Sequence, residues 1–150
     1  MPKSLFDVTA YREVIQRIET LTHSSTPLWG KMDVAQMLSH CAAGMEMALG
    51  DRMYKQQFMG KLIAPFMKQA YYNDKPFARN LPTHPSLKIV KQQDFDREAE
   101  QLKSLVKRFH QGGTEVCTKG PHPMFGHYTP HQWASGMYKH LDHHLRQFGV

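Results

Sequence analysis

The segment TPHQWASGMYKHLDHHLRQFGV, Thr129 to Val150, holds the clearest helix start in the chain and its densest group of histidines. Thr129 is a good N-cap and Pro130 suits the first helical position. Gln132 completes a capping box, and Tyr128 can staple onto Trp133. At about 100° per residue, Trp133, Met137, His140, Leu141, His144 and Phe148 share one side of this helix. A stripe of that composition has to be buried, so His140 and His144 are expected on an inward face, one turn apart. This i, i+4 spacing lets two imidazoles converge on one ion. His143 is displaced to the flank and reads as a boundary residue, with a pairing of His140 and His143 left geometrically open.

Working outward, the same periodicity recurs and strand-like alternation is nearly absent, which predicts an all-α chain. A first helix starts near Asp7 or Thr9, with Val8, Tyr11, Val14, Ile15, Ile18 and Leu21 on one face, and stops in the THSSTP turn. A second opens at Asp33, which has capping-box spacing to Gln36, and carries Val34, Met37, Leu38, Cys41, Met45 and Leu49 as far as Gly50. The middle combines an apolar run with Pro65, Pro76, Pro82 and Pro85. It reads as a helix over 56 to about 71, kinked or interrupted near Pro65, and then an irregular crossover. A further helix opens around Asp94, buries Phe95, Leu102, Leu105, Val106 and Phe109, and ends at Gly112 and Gly113. Four main helices and an irregular middle predict a four-helix bundle, with the crossover between its second and third members.

A chain of 150 residues fits one domain, 1–150, with a core of its own. Cys41 and Cys117 lie far apart in dissimilar contexts, so neither a disulfide framework nor a CxxC motif is available, and a reducing cytoplasm is the expected compartment. No window approaches a signal peptide or a membrane span. The net charge is +6, and between Arg52 and Lys91 eight basic residues face the single acid Asp74. A solvated face explains that distribution, and an anion-attracting rim is its sharper reading. A nucleic-acid binder rests on charge alone, because no recognition motif accompanies it.

Ten histidines in the chain make a chance HxxxH easy to find, so the pair gains weight from a third residue. His40, in MDVAQMLSHCAAGM, sits one turn after Gln36 and Met37, beside the apolar stripe of the second helix. Three neutral imidazoles from two helices, His40, His140 and His144, would form a site with open coordination positions. Zinc, nickel, iron or another divalent transition metal suits such a donor set. Spacing alone weighs this evenly against core histidines satisfied by hydrogen bonds. His122, His127 and His131 read as loop packing or exposure, and His23, His84 and His110 as turn and helix-end residues. Asp142 and Glu46 fall on the far sides of their helices and are expected to face solvent, which leaves no carboxylate partner. Gln36 and Gln147 stand near enough to orient ligands, which capping and surface exposure explain equally well, and Cys41 reads as core.

The motifs WGKMDVAQMLSHC (Trp29 to Cys41), HPMFG (His122 to Gly126) and YKHLDHHLRQFG (Tyr138 to Gly149) resemble the DinB-like superfamily of metalloenzymes, which includes YfiT-type proteins. The closest likeness is to a branch known as a domain of unknown function with the same WGKM opening and HHLRQFG ending. The resemblance covers nearly the whole chain. It implies a bundle of up-down-down-up connectivity and a metal held by His40, His140 and His144. It also implies a metal-dependent enzyme acting on a small molecule, either a hydrolase or a thiol S-transferase that uses a low-molecular-weight thiol. A non-catalytic stress-response or interaction bundle, with structural or adventitious metal-site histidines, is the competing reading. A homodimer could form through the methionine-rich set Met45, Met47, Met53, Met59 and Met67, which core packing explains as readily.

Overall fold

The structure, a computed structural model, describes residues 2–53 and 58–150. Five helices follow one another: α1 (Val8–Thr20), α2 (Val34–Leu49), α3 (Phe58–Tyr72), α4 (Phe95–Gly112) and α5 (Pro130–Gln147). Among the described residues there is no strand, only one isolated bridge between His122 and Gly126. The all-α expectation therefore holds. No helix is long and apolar enough to cross a membrane.

The expected caps form. Asp33 accepts from the Gln36 amide at 2.8 Å while Gln36 Oε1 takes the Asp33 N–H, and Thr129 and Gln132 build the same reciprocal box on α5. Tyr128 packs edge-on against Trp133, with ring centroids 5.3 Å apart. Gly50 ends α2 at φ +81°, a left-handed conformation that a residue without Cβ adopts freely.

α1 and α2 each pack against both α4 and α5, so the four surround one core and α1 lies across the bundle from α2. Val14, Ile18, Met37, Leu38, Met45, Leu102, Val106, Phe109, Trp133, Met137 and Leu141 fill it. Val8 departs from the expected stripe and is half exposed. Leu5, from the preceding turn, takes the buried place instead and donates its N–H to the Ala134 carbonyl at 3.2 Å.

The middle segment differs more. The helix expected up to about 71 forms as α3 and runs through Pro65 without interruption, so of the two readings at Pro65 the interruption does not occur; the expected start at 56, like Lys55, lies outside the described residues. Proline removes one helical hydrogen bond, and tertiary contact offsets the loss. Tyr71 is buried against α5 where Gly136 offers no side chain, and a Cβ there would come within 2.3 Å of the Tyr71 ring. Phe58, Leu62 and Met67 leave the outer side of α3 apolar and exposed. Within the methionine set, Met45 and Met47 are core residues, whereas Met53 and Met67 are exposed.

Phe109 is fully buried and stacks on Phe6, with centroids 5.5 Å apart. Phe109→Ala is expected to lower stability by about 3–5 kcal/mol through the cavity left behind. Thr129→Ala should lower it by about 1 kcal/mol through the lost cap. Urea midpoints at unchanged m-value check both.

Candidate metal centre

α2 contributes His40, and α5 contributes His140 and His144 one turn apart. Their rings gather between the two helices, with centroids 4.7–5.0 Å apart. One nitrogen from each lies within 4.8 Å of the others, and His40 Nε2 stands 3.0 Å from His140 Nε2. A tetrahedral zinc about 2.1 Å from each nitrogen would set its ligands roughly 3.4 Å apart. The observed separations bracket that figure. The three residues form a group that could hold a metal ion.

Hydrogen bonds fix which nitrogens are available. His40 Nδ1 donates to the Leu87 carbonyl at 2.8 Å, because a carbonyl only accepts, so His40 Nε2 carries a lone pair. His140 must then donate from Nε2 to fill the 3.0 Å contact. Its Nδ1 is buried with no hydrogen-bond partner among the described residues. His144 Nδ1 meets Gln147 Oε1 at 2.8 Å and is the donor there, which leaves Nε2 free. Gln147 Nε2 in turn donates to the Trp29 carbonyl at 2.7 Å. Two of the three rings are thus held by a carbonyl on the nitrogen that faces away from the cluster, the usual support of metal-bound imidazole.

Two glycines make this packing feasible. Gly44, one turn after His40, lies against the His140 ring, and a Cβ there would stand 3.1 Å from His140 Cε1. Gly30, at φ +84°, leaves room for the Gln147 amide, which an added Cβ would meet at 2.4 Å. The tight turn it makes brings the Trp29 carbonyl to Gln147.

Burial governs the protonation of the cluster. Loss of water pushes the pKa of His40 down against its hydrogen bond to Leu87, and drives His140 well below its ordinary value, with His144 and His40 adding to the effect. His144 falls to about 3, through burial first and then the neighbouring His40. All three are therefore neutral at pH 7, the form that binds metal.

The cluster opens into a chamber of about 320 Å³ whose walls are mainly apolar, including Met47, Tyr71, Leu87, Phe125 and Met137. His122 also lines it. Of the two readings of His122, loop packing holds and solvent exposure does not: it is buried with its ring fixed, Nδ1 accepting the N–H groups of Met124 and Phe125 at 3.1 and 3.3 Å. Its proton therefore sits on Nε2. Burial lowers its pKa to about 3, so the ring is a neutral donor. The HPMFG turn, with Gly126 at φ +76° closing the bridge to His122, is the sequence signal for it.

Other expectations divide. Of the two readings open for each glutamine, Gln147 supports a histidine and Gln36 serves its cap and the Lys91 carbonyl. Cys41 is core, with its thiol pushed up by burial. His131 is exposed, and His143 lies at the flank between Trp29 and Phe77. Asp142 and Glu46 do not face open solvent. Asp142 binds Arg17 at 2.8 Å and Arg146 at 3.0 Å, while Glu46 binds Arg52 at 2.5 Å and Gln101 at 2.9 Å. Helix angle alone places each away from the histidines, but long basic side chains from other segments fold over them.

Fold and site together define the class: an all-helical chain that gathers three histidines capable of holding a metal ion. The chain belongs to the family described as "Protein of unknown function (DUF1569)", whose model matches residues 2–149. No curated protein and no solved structure matches it.

A pH dependence follows for the metal-free protein. The unfolded chain protonates His122 and His144 near pH 6.5, whereas the folded chain does so only near pH 3. Their contribution to stability is complete above about pH 6.5 and is lost as the pH falls toward 3, on the order of 3 kcal/mol each by pH 4. Urea unfolding at pH 7, 5 and 4 measures it, and a flat profile would mean that both rings are solvated.

Proposed function

We propose that the chain is a metal-dependent enzyme of the DinB-like type in which His40, His140 and His144 hold a divalent transition metal such as zinc, nickel or iron. The observation that carries this reading is the convergence of three neutral imidazoles, two of them held by carbonyl acceptors, with His140 Nδ1 buried and unpartnered. Three protein ligands leave a coordination position open, the pattern of catalytic rather than structural sites. Bound there, the ion would supply Lewis-acid chemistry, bringing the pKa of a coordinated water or low-molecular-weight thiol toward neutrality.

The chain's own groups divide the remaining work. Leu87 and Gln147 orient His40 and His144 through their outer nitrogens. The apolar walls exclude water and favour a small substrate with an apolar body. His122 lines the same chamber with its proton confined to Nε2, which suits it to donate to a substrate oxygen while remaining uncharged. Hydrolysis and thiol transfer both fit this arrangement.

A non-catalytic bundle is the second reading, favoured by the absence of Asp and Glu from the described lining of the chamber. Turnover of a thiol-conjugation or ester substrate that is abolished by chelator and restored by metal eliminates it.

Metal analysis of untagged protein after reconstitution tests the leading reading. One equivalent is expected in the wild type, with affinity at least about 100-fold weaker in His40→Ala, His140→Ala and His144→Ala. Gln147→Leu keeps all three ligands and should weaken binding about 10–100-fold through lost orientation. Equal metal content in every variant overturns the proposal.

A further inference from the structure

A second cavity, of about 330 Å³, shares Phe77 and His143 with the chamber but has a different character. Its walls carry three basic side chains, Arg79, Lys139 and Arg146, and one carboxylate, Asp142. That carboxylate is already committed, because it binds Arg146 and also Arg17 from α1. Arg146 is thereby paired with a shared carboxylate, and Arg79 and Lys139 remain without one. Among the described residues neither has a carboxylate within 4.0 Å.

Lys139 makes the imbalance consequential. It is buried, and the acceptors that meet its ammonium are neutral: the Ala70 carbonyl at 2.5 Å and Asn73 Oδ1 at 2.7 Å. Its Nζ also lies 4.4 Å above the centre of the Phe77 ring. These groups orient a cation without cancelling its charge, and Asp74 attracts the ammonium without pairing with it directly, so a desolvated cation is left incompletely compensated. Arg79 lies over Trp29 at 4.4 Å. A guanidinium held over a ring keeps N–H donors for a planar or tetrahedral oxyanion.

We propose that this cavity is an anion-binding site, in which Lys139 and Arg79 receive the carboxylate or phosphate group of a small organic molecule whose body packs on Trp29 and Phe77. The proposal is independent of metal binding. It converts the diffuse positive charge of the 52–91 segment into one specific contribution, Arg79.

The test is titration of the metal-free, full-length chain with inorganic phosphate and, separately, with acetate, at constant ionic strength set by chloride. Amide NMR shifts near Trp29, Phe77 and Lys139 report binding at the cavity, and calorimetry gives the stoichiometry. Saturable one-to-one binding of at least one anion is expected. Preference for phosphate assigns a phosphate-bearing ligand, and preference for acetate a carboxylate-bearing one. Arg79→Gln, at an exposed position where only the contact with Trp29 is lost and the fold should be retained, is expected to weaken binding at least about tenfold. Lys139→Met should do the same, and exposed Lys88→Gln should have no effect. Shifts that grow linearly without saturation, or equal affinity in wild type and Arg79→Gln, overturn the proposal.

Discussion

Three imidazoles can share an apolar space only while they are neutral, and the architecture between α2 and α5 follows from that constraint. A charged ring among His40, His140 and His144 would face both desolvation and repulsion from its neighbours, so burial holds the lone pairs in place at neutral pH. Neutral rings still need their N–H groups satisfied. The fold provides Leu87 and Gln147 as acceptors on the outer side, which points the remaining nitrogens of His40 and His144 inward. His140 has no such acceptor. Its Nε2 proton goes to His40, and this contact ties α5 to α2.

The irregular segments acquire a purpose from the same bonds. The loop after α1 exists in its particular shape because Gly30 turns the chain beside Gln147, bringing the Trp29 carbonyl onto that side chain. The Leu28 N–H also donates to the Gln147 carbonyl at 2.7 Å, so one residue of α5 is held by both its side chain and its backbone. The proline-rich crossover ends in a short 3-10 turn, Pro85–Leu87, whose last carbonyl reaches His40. Stretches without helical periodicity therefore fix the two helix-borne histidines whose orientation matters most.

This explains what could be read from the sequence. Helical residues were legible because their periodicity is a property of the chain itself: the stripe from Trp133 to Phe148 and the caps at Asp33 and Thr129 need no knowledge of neighbours. His40, His140 and His144 meet as that periodicity predicts, and the motif resemblance pointed to the same three. What stayed hidden depends on contacts from distant segments. A backbone carbonyl has no sequence signature, so the roles of Leu87 and Trp29 could not be anticipated. The fixed ring of His122 depends on a turn folding back on its own side chain. Asp142 and Glu46 are covered rather than solvated, because helix angle states which way a side chain leaves its helix, not what another segment lays over it. Pro65 leaves a kink or an interruption open, and the close approach of Tyr71 to Gly136 favours a continuous helix.

The two cavities divide the polar chemistry of the molecule between them. No carboxylate lines the three-histidine chamber among its described residues, while the neighbouring cavity has a carboxylate outnumbered by cations. A reaction in the chamber would find no acid or base of the Asp or Glu type in its wall, and His122 is fixed as a donor because two backbone N–H groups occupy its other nitrogen. Selectivity there would rest on shape, apolar contact and one directed N–H. The cationic side instead offers strong, charge-dependent recognition with little shape of its own. Phe77 and His143 stand in both walls, so a residue change at either alters the apolar and the charged surface together. His143, adjacent in sequence to His144 yet turned to the flank, is thus a boundary residue in a sense that helix geometry alone could not convey.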